Sequence, residues 1–467
     1  MDRKLTEQFE AYADAVLADG DGAGLAVALV NKKGEVVYRY LTGYRDRDRQ
    51  LPVDENTIFG VASITKSFTA LCLLQLVERG LVALDRPVSD YIPEFRGTHH
   101  GESVRVEHFL YHAGGYYPMF RQCIDPLAES MGITEAETGD FAYYAPLAEE
   151  ALRRVCGALD KETDFTGRPG ERMSYCNDGF AVLSEIIHRC GGEDSFAAYV
   201  KKQLMEPLGM SRSSADYVAP AADPNGAVLY SVDENTHEPR ADRDYHNLAF
   251  VLGGGGAVKS TLADMCRYLG VYLNEGVGFN GNRVLGSYYV REMSRPRIWY
   301  GPDQWYGYAL SSEVLDDLTV WGHGGSLPGV SSQFLFSPEL ELGAVVLCNT
   351  ESVSVGAIAD AAMRMANAQT PEAPRKAWQV RPWSRETCER AAGFYSMEEG
   401  EKFTLSVDED GVLRKEQNDR STEMIPVAPD LLISHGKWTD GFIRFYADDE
   451  GRIFAAKNGS RIYPKKN

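Results

Sequence analysis

The sequence predicts an α+β fold in which one antiparallel sheet is assembled from both ends of a large domain, helices flank it, and a small all-β barrel follows. Three observations lead there. Two β-like runs, Leu25–Asn31 and Val36–Leu41, lie near the start, and similar runs return only at Tyr306–Leu310, Leu318–Trp321, Gln333–Phe336 and Gly343–Leu347. Between them, roughly residues 60–280 read as helices and loops, an inserted helical subdomain beside the sheet. Beyond residue 382 the chain turns to short β-like runs punctuated by Asp-Gly, Glu-Gly and Asn-Gly pairs.

Each element has its own signal. Residues 4–18 put Leu5, Phe9, Tyr12, Ala13 and Val16 on one side of a helix. The first two β-like runs are joined by Lys32-Lys33-Gly34 as a hairpin. The clearest helix starts near Ser63, runs through Phe68–Val77 and stops at Gly80. A helix at Val355–Ala366 closes the large domain, residues 1–366. Residues 367–382, with Pro371 and Pro374, read as a linker. The tail, 383–467, carries runs at Lys402–Val407, Leu431–Ser434, Phe442–Tyr446 and Arg452–Ala456, the pattern of a small barrel.

Composition bounds the function. A chain of 467 residues is too long for one ordinary domain, and 44% hydrophobic with 25% charged residues is that of a folded globular protein. A net charge of −20 repels phosphate backbones and anionic lipid, so nucleic acid and membrane surfaces are not predicted partners. No run of about 18 apolar residues occurs that could span a membrane. The first ten residues lack the apolar core of a secretory signal, and the eight cysteines are scattered without a C-x-x-C pair. Both features predict a reduced, cytoplasmic protein with buried thiols.

Ser63-Ile64-Thr65-Lys66 stands where a loop gives way to a helix. Three residues apart on a helix places both side chains on one face. The helix N-terminus adds free N–H groups and a positive dipole, which suit a developing oxyanion. Serine needs a base, and a lysine serves once burial disfavours its ammonium form. Alone the tetrad is weak evidence, because an N-capping serine followed by a solvated lysine looks the same. Ser434-His435-Gly436-Lys437 repeats the spacing without a helix, and it is left at that plain reading.

The string Phe59-Gly-Val-Ala-Ser63-Ile-Thr-Lys66-Ser-Phe-Thr-Ala, continued by Leu76–Val88, resembles the serine β-lactamase and penicillin-binding superfamily. It is most similar to the class C-like branch with D-aminopeptidases, D,D-peptidases and esterases. Glu107–Gly115, with His112, resembles that branch's Leu-Leu-x-His-x-Ser-Gly stretch, Gly114 standing where serine is usual. Pro169–Asn177 contains its Tyr-x-Asn element, and Met205–Met210, Gly254–Asp264 and Gly322–Gly329 follow in order. The resemblance covers about residues 5–366 and implies a β-lactamase-like domain, with a lipocalin-like barrel as its tail. It implies Ser63 as nucleophile, with Lys66 and Tyr175 as its partners in proton transfer. Asn177, His323 and Gly325 would bind substrate, and the backbone N–H groups of Ser63 and Ser326 would form the oxyanion hole. A helix cap is the plain alternative for Asn177, and a structural histidine for His323.

The third motif departs from the lactamases, which carry Lys-Thr/Ser-Gly where this chain has His323-Gly324-Gly325. A neutral histidine and a glycine without a hydroxyl give an antibiotic carboxylate less to bind, so efficient β-lactam hydrolysis is not expected. Other signals are declined. Gly253–Gly256 lacks a phosphate-loop frame, no Gly-x-Ser-x-Gly elbow exists, and no His-Glu-x-x-His or Cys/His cluster predicts a metal or cofactor. His99-His100 reads as an exposed loop. Tyr116, Tyr117 and Phe120 are split evenly between core and cleft. The expected function is a serine hydrolase with a Ser63 acyl-enzyme, acting on amide bonds of small peptides, of D- or L-residues, with carboxylic esters as the close alternative. A binding protein that kept the fold and a lipid-trimming hydrolase are the rivals. The tail would limit substrate size at the cleft or mediate self-association, and both readings stay open.

Overall fold

A chain that places strands at both ends of a domain must close them into one sheet, and this one does. The computed structural model describes residues 2–118, 150, 152–163, 165–216, 223–232, 239–242, 253–374, 376–397, 401–418 and 420–466. The N-terminal helix α1 (Arg3–Asp19) is followed by β1 (Gly24–Asn31), β2 (Val36–Asp46) and β3 (Leu51–Pro52). The C-terminal strands are β10 (Ile298–Gly301), β11 (Gln304–Tyr306), β12 (Ser311–Leu315), β13 (Leu318–Leu327), β14 (Val330–Ser337) and β15 (Leu342–Cys348). They form a nine-stranded sheet in the order β10-β11-β12-β13-β14-β15-β1-β2-β3, with β1 antiparallel to β15, Val27 opposite Val346.

The register of β1 explains its unbroken apolar run. Ala26, Ala28 and Val30 pack into the core shared with the helical insertion, whereas Leu25, Val27 and Leu29 pack under α1 and the closing helix. A strand covered on both faces has no solvent side to mark with polar residues. Between the two sets of strands the chain forms short pairs and helices. The strands are β4 (Ile58–Gly60) with β9 (Lys259–Thr261), β5 (Thr98–His99) with β6 (Glu102–Ser103), and β7 (Leu229–Val232) with β8 (Pro239–Asp242). The helices are α2 (Thr65–Glu78), α3 (Val106–Leu110), α4 (Asn177–Gly191), α5 (Phe196–Val200), α6 (Glu206–Leu208), α7 (Leu262–Leu273) and α8 (Ser287–Ser294). Helix α9 (Val355–Ala366) closes the domain. Helix α2 is buried at every position from Thr65 to Leu76, so it is covered on all sides and has no solvent face to set against an apolar one. It stops at Gly80, which adopts φ +72°.

After α10 (Arg385–Ala391), eight strands close a barrel. They are β16 (Gly393–Ser396), β17 (Lys402–Val407), β18 (Leu413–Gln417), β19 (Arg420–Ala428), β20 (Leu431–Ser434), β21 (Gly441–Ala447), β22 (Ile453–Asn458) and β23 (Arg461–Lys466). The barrel packs on the large domain at several points. Trp438 Nε1 donates to Asp19 at 2.8 Å, and its ring meets Tyr12 edge-on at 5.4 Å. Phe442 packs on Trp299 at 5.5 Å, and Tyr117 is buried with Ala455 and Ile462. The second Ser-x-x-Lys lies at this seam too, its Lys437 paired with Asp19.

Two expectations are corrected and one left open is decided. Tyr306–Leu310 is not a strand: Tyr306 ends β11, and the chain turns through Ala309 at φ +55° before β12. His99 is not in an exposed loop but 5% exposed, stacked on Phe165 at 4.1 Å and bonded through Nε2 to the Gly114 carbonyl at 2.8 Å. Tyr116 belongs to the core. Phe120 and Cys123 lie outside the described residues, among which the seven other cysteines are free thiols. No described helix is long and apolar enough to cross a membrane.

The double-faced burial of β1 predicts a stability ranking. Leu29→Ala should lower stability by ~2–5 kcal/mol, read as a lower urea midpoint at constant m value, because it empties a fully buried site. Val36→Ala, at a side chain 40% exposed, should stay within ~0.5 kcal/mol of the parent.

Candidate active site

The junction predicted at Ser63 is a 3₁₀ turn, Ala62–Ile64, running into α2. Ala62 holds φ +45°, a left-handed conformation that costs a residue with a Cβ ~1–2 kcal/mol. Neighbours over-determine it. Ser332 Oγ donates to the Val61 carbonyl at 2.9 Å, Val61 N–H donates to Val258 at 3.1 Å, and Val258 N–H donates to Thr65 Oγ1 at 2.9 Å.

Lys66, one turn further, is completely buried. Its Nζ lies 3.0 Å from Ser63 Oγ and donates to the Gly255 carbonyl at 2.7 Å. The Gly253–Gly256 run has its purpose here. A Cβ on Gly254 would fall 2.5 Å from the Phe180 carbonyl, so only glycine lets this turn reach α4 and offer Gly255 to the lysine. Tyr175 completes the cluster: its ring centroid lies 4.8 Å from Lys66 Nζ. Burial raises the phenol's pKa above its usual value, and the neighbouring Ser63 hydroxyl and the Arg461 charge offset this only in part.

The segment bearing Tyr175 is held from two sides in alternation. Ser174 N–H donates to the His112 carbonyl at 3.0 Å, and Cys176 N–H donates to His112 Nδ1 at 3.2 Å. The intervening Tyr175 N–H points the other way and donates to Ser460 of the barrel at 2.9 Å. Extended backbone presents successive amides to opposite sides, so two supports are needed.

His112 opens a directed chain of hydrogen bonds. Its Nδ1 accepts from an amide, so the proton sits on Nε2, which faces Tyr306 Oη at 3.3 Å. Tyr306 then donates to His323 Nε2 at 2.9 Å, and His323 Nδ1–H donates to the Gly324 carbonyl. Every member is satisfied only if both imidazoles are neutral. Burial first, and the Lys66 charge second, push His112 well below its usual pKa and His323 down to about 3.

The remaining predicted residues surround this core. Asn177 is the first residue of α4 and Cys176 is its cap, so the capping alternative does not hold. The Asn177 side chain is partly exposed. Gly325 lies on β13 against the 3₁₀ turn, where a Cβ would fall 2.2 Å from the Val61 carbonyl and 3.0 Å from Ser63 N. Ser326 follows on the same strand, opposite Ser331 of β14. Strand β12 pairs with β13 only as far as Gly322, so the stretch from His323 to Leu327 has no β12 partner. Sequence reasoning missed the Gly255 carbonyl, Tyr306 and the barrel's Ser460, and gave His112 no role. His112 stood in a recognised motif, but backbone carbonyls and contacts across hundreds of residues leave no sequence mark.

Comparison with known proteins gives the family of the chain. The Beta-lactamase family matches residues 9–368, and the chain belongs to that family of serine hydrolases. It is 31% identical to esterase EstB of Burkholderia gladioli over 283 residues, 60% of this chain and 67% of the esterase. It is 29% identical to a D-aminopeptidase of Cereibacter sphaeroides over 355 residues, 75% of this chain and 61% of that protein. The match thus spans about three fifths of the D-aminopeptidase's length. Among solved structures, the octameric penicillin-binding protein homologue from Pyrococcus abyssi superposes with a TM-score of 0.68 at 26% identity, covering 99% of this chain and 100% of that one. A D-stereospecific amidohydrolase from Streptomyces shares the fold at a TM-score of 0.59 and 21% identity, over 76% of this chain and 97% of its own.

The buried histidines set an acid limit. His99, His108 (about 4), His112 and His323 (about 3) all have lowered values, mainly through burial. The unfolded chain takes up protons near pH 6.5 that the fold refuses, so their contribution is complete above that pH and drains as pH falls toward 4 and 3. Each contributes a slope of up to ~1.4 kcal/mol per pH unit. Urea unfolding from pH 6.5 to 5 should show stability falling with pH, and His323→Asn should make the slope shallower by about one proton.

Proposed function

We propose that the protein is a serine hydrolase that acylates itself on Ser63 and cleaves amide bonds of small peptides, D-residues included. The observation that carries this reading is the placement of Ser63 Oγ 3.0 Å from Lys66 Nζ at the start of a buried helix, with the Tyr175 ring 4.8 Å from the same amine. In the proposed reaction Ser63 attacks the substrate carbonyl as its proton passes to Lys66. A raised phenol pKa argues against a standing Tyr175 phenolate, so Tyr175 works with Lys66, delivering a proton to the leaving amine and recovering it afterwards. Water then attacks the ester carbonyl, its proton taken by the same pair, and Ser63 is regenerated.

The backbone N–H groups of Ser63 and Ser326 would hold the oxyanion, each typically worth ~100–1,000-fold in rate. Asn177 would bind the acyl side of the substrate, its side chain free of hydrogen bonds among the described residues. His323, held neutral, offers a substrate carboxylate no charge, which disfavours β-lactams and favours neutral amides and esters. The similarity to D-aminopeptidases supports amides, and that to esterase EstB supports carboxylic esters as the second reading.

Intact-protein mass spectrometry with D- and L-aminoacyl amides, short-chain esters and penicillin tests the proposal. A substrate-dependent adduct or product is expected with the parent protein and none with Ser63→Ala. No product, together with no labelling by a fluorophosphonate, would overturn the catalytic reading in favour of a binding protein. Gly325→Ala tests the geometry separately. Its Cβ must displace the turn carrying Ser63, so labelling should slow by ~100-fold while the protein stays folded.

A further inference from the structure

Lys457 lies on β22, whose side chains alternate. Ala456 packs into the barrel core, whereas Ala455 faces the large domain beside Tyr117. Lys457 shares the outward face with Ala455, where a barrel lysine would normally meet water. Here it is 0% exposed, because the segment leading to Tyr175 covers it.

Its Nζ donates to the Met173 carbonyl at 3.1 Å, touches Met173 Sδ at 3.0 Å, and donates to the Ser460 carbonyl at 3.2 Å. No carboxylate pairs with it among the described residues. Burial, with the Arg444 charge adding to it, lowers its pKa to about 7. An apolar side chain of this length would avoid that desolvation cost. What it could not do is hold two carbonyl oxygens at one point, and one of them, Ser460, also accepts the Tyr175 N–H. A second anchor lies alongside, where Ile462 N–H donates to Ser174 Oγ at 3.2 Å.

We propose that Lys457 is a positioning residue for Tyr175: it pins the Met173 and Ser460 carbonyls together and so makes the β22–β23 hairpin of the barrel a working part of the Ser63 site. This rests on the reading of Ser63 and Tyr175 as the reacting pair. A shift of about 1 Å in a positioned group can cost ~100-fold in rate, so the seam need loosen only slightly to be felt at Ser63.

The test uses the full chain and two readouts, fluorophosphonate labelling of Ser63 and hydrolysis of p-nitrophenyl acetate per labelled site. Lys457→Met keeps the length and removes every donor. It should slow labelling and lower kcat at least tenfold, with the labelling endpoint, the KM within about threefold and the melting midpoint retained. Lys457→Gln, which keeps a donor, should recover part of the loss. A purely structural lysine would lower the endpoint and the midpoint together and leave kcat per labelled site unchanged, and that result overturns the proposal. If Lys457→Met does not fold, Ser174→Ala decides between the two roles, with slower labelling expected and an unchanged rate overturning the proposal. A parent protein that never labels would sink the Ser63 reading instead, a different outcome from equal rates in parent and variant.

Discussion

The burial of Lys66 is the constraint around which the large domain is arranged. An amine can share a hydrogen bond with a serine in water, but there it stays a solvated ammonium and no base. Removing it from water requires a helix covered on all sides, and α2 is such a helix. That in turn requires protein on both sides of it, which is why the helical insertion, with α4 across Phe180, cannot be separated from the sheet whose β13 and β14 pass the 3₁₀ turn. Glycine is used where approach is closest. Gly254 lets a carbonyl reach the amine, and Gly325 lets a strand lie against Ser63.

The same burial dictates the protonation of the groups around Lys66. His112 and His323 lie close enough for the Lys66 charge to lower both, and burial lowers them further. Neutral imidazoles need defined tautomers, which the Cys176 amide at one end and the Gly324 carbonyl at the other impose through Tyr306. The hydrogen-bond pattern and the electrostatics thus require the same protonation states.

Much of this was legible in the sequence. The Ser63–Lys66 spacing, the hairpin of β1 and β2, and the closing helix α9 are local patterns, and local patterns survive in sequence. Tyr306–Leu310 misled because apolar alternation cannot reveal the left-handed Ala309 that ends the strand early. His99-His100 looked like an exposed pair because the ring that buries His99 belongs to Phe165, far along the chain. The support of Tyr175 by Ser460 left no mark at all, being a bond between two backbones 285 residues apart in sequence.

That last contact explains why the barrel cannot be treated as a mere appendage. An extended segment offers its amides to two sides, and His112 satisfies only those of Ser174 and Cys176. Without the barrel, the Tyr175 amide and the Met173 carbonyl would turn to solvent, and the tyrosine would keep its chemistry but lose its fixed direction. The large domain supplies Ser63 and Lys66. The geometry of the third partner is shared with a domain whose own core lies elsewhere. A buried lysine with no carboxylate among the described residues is costly on any barrel, and its place at this one seam follows from the two carbonyls that need a common donor beside Tyr175.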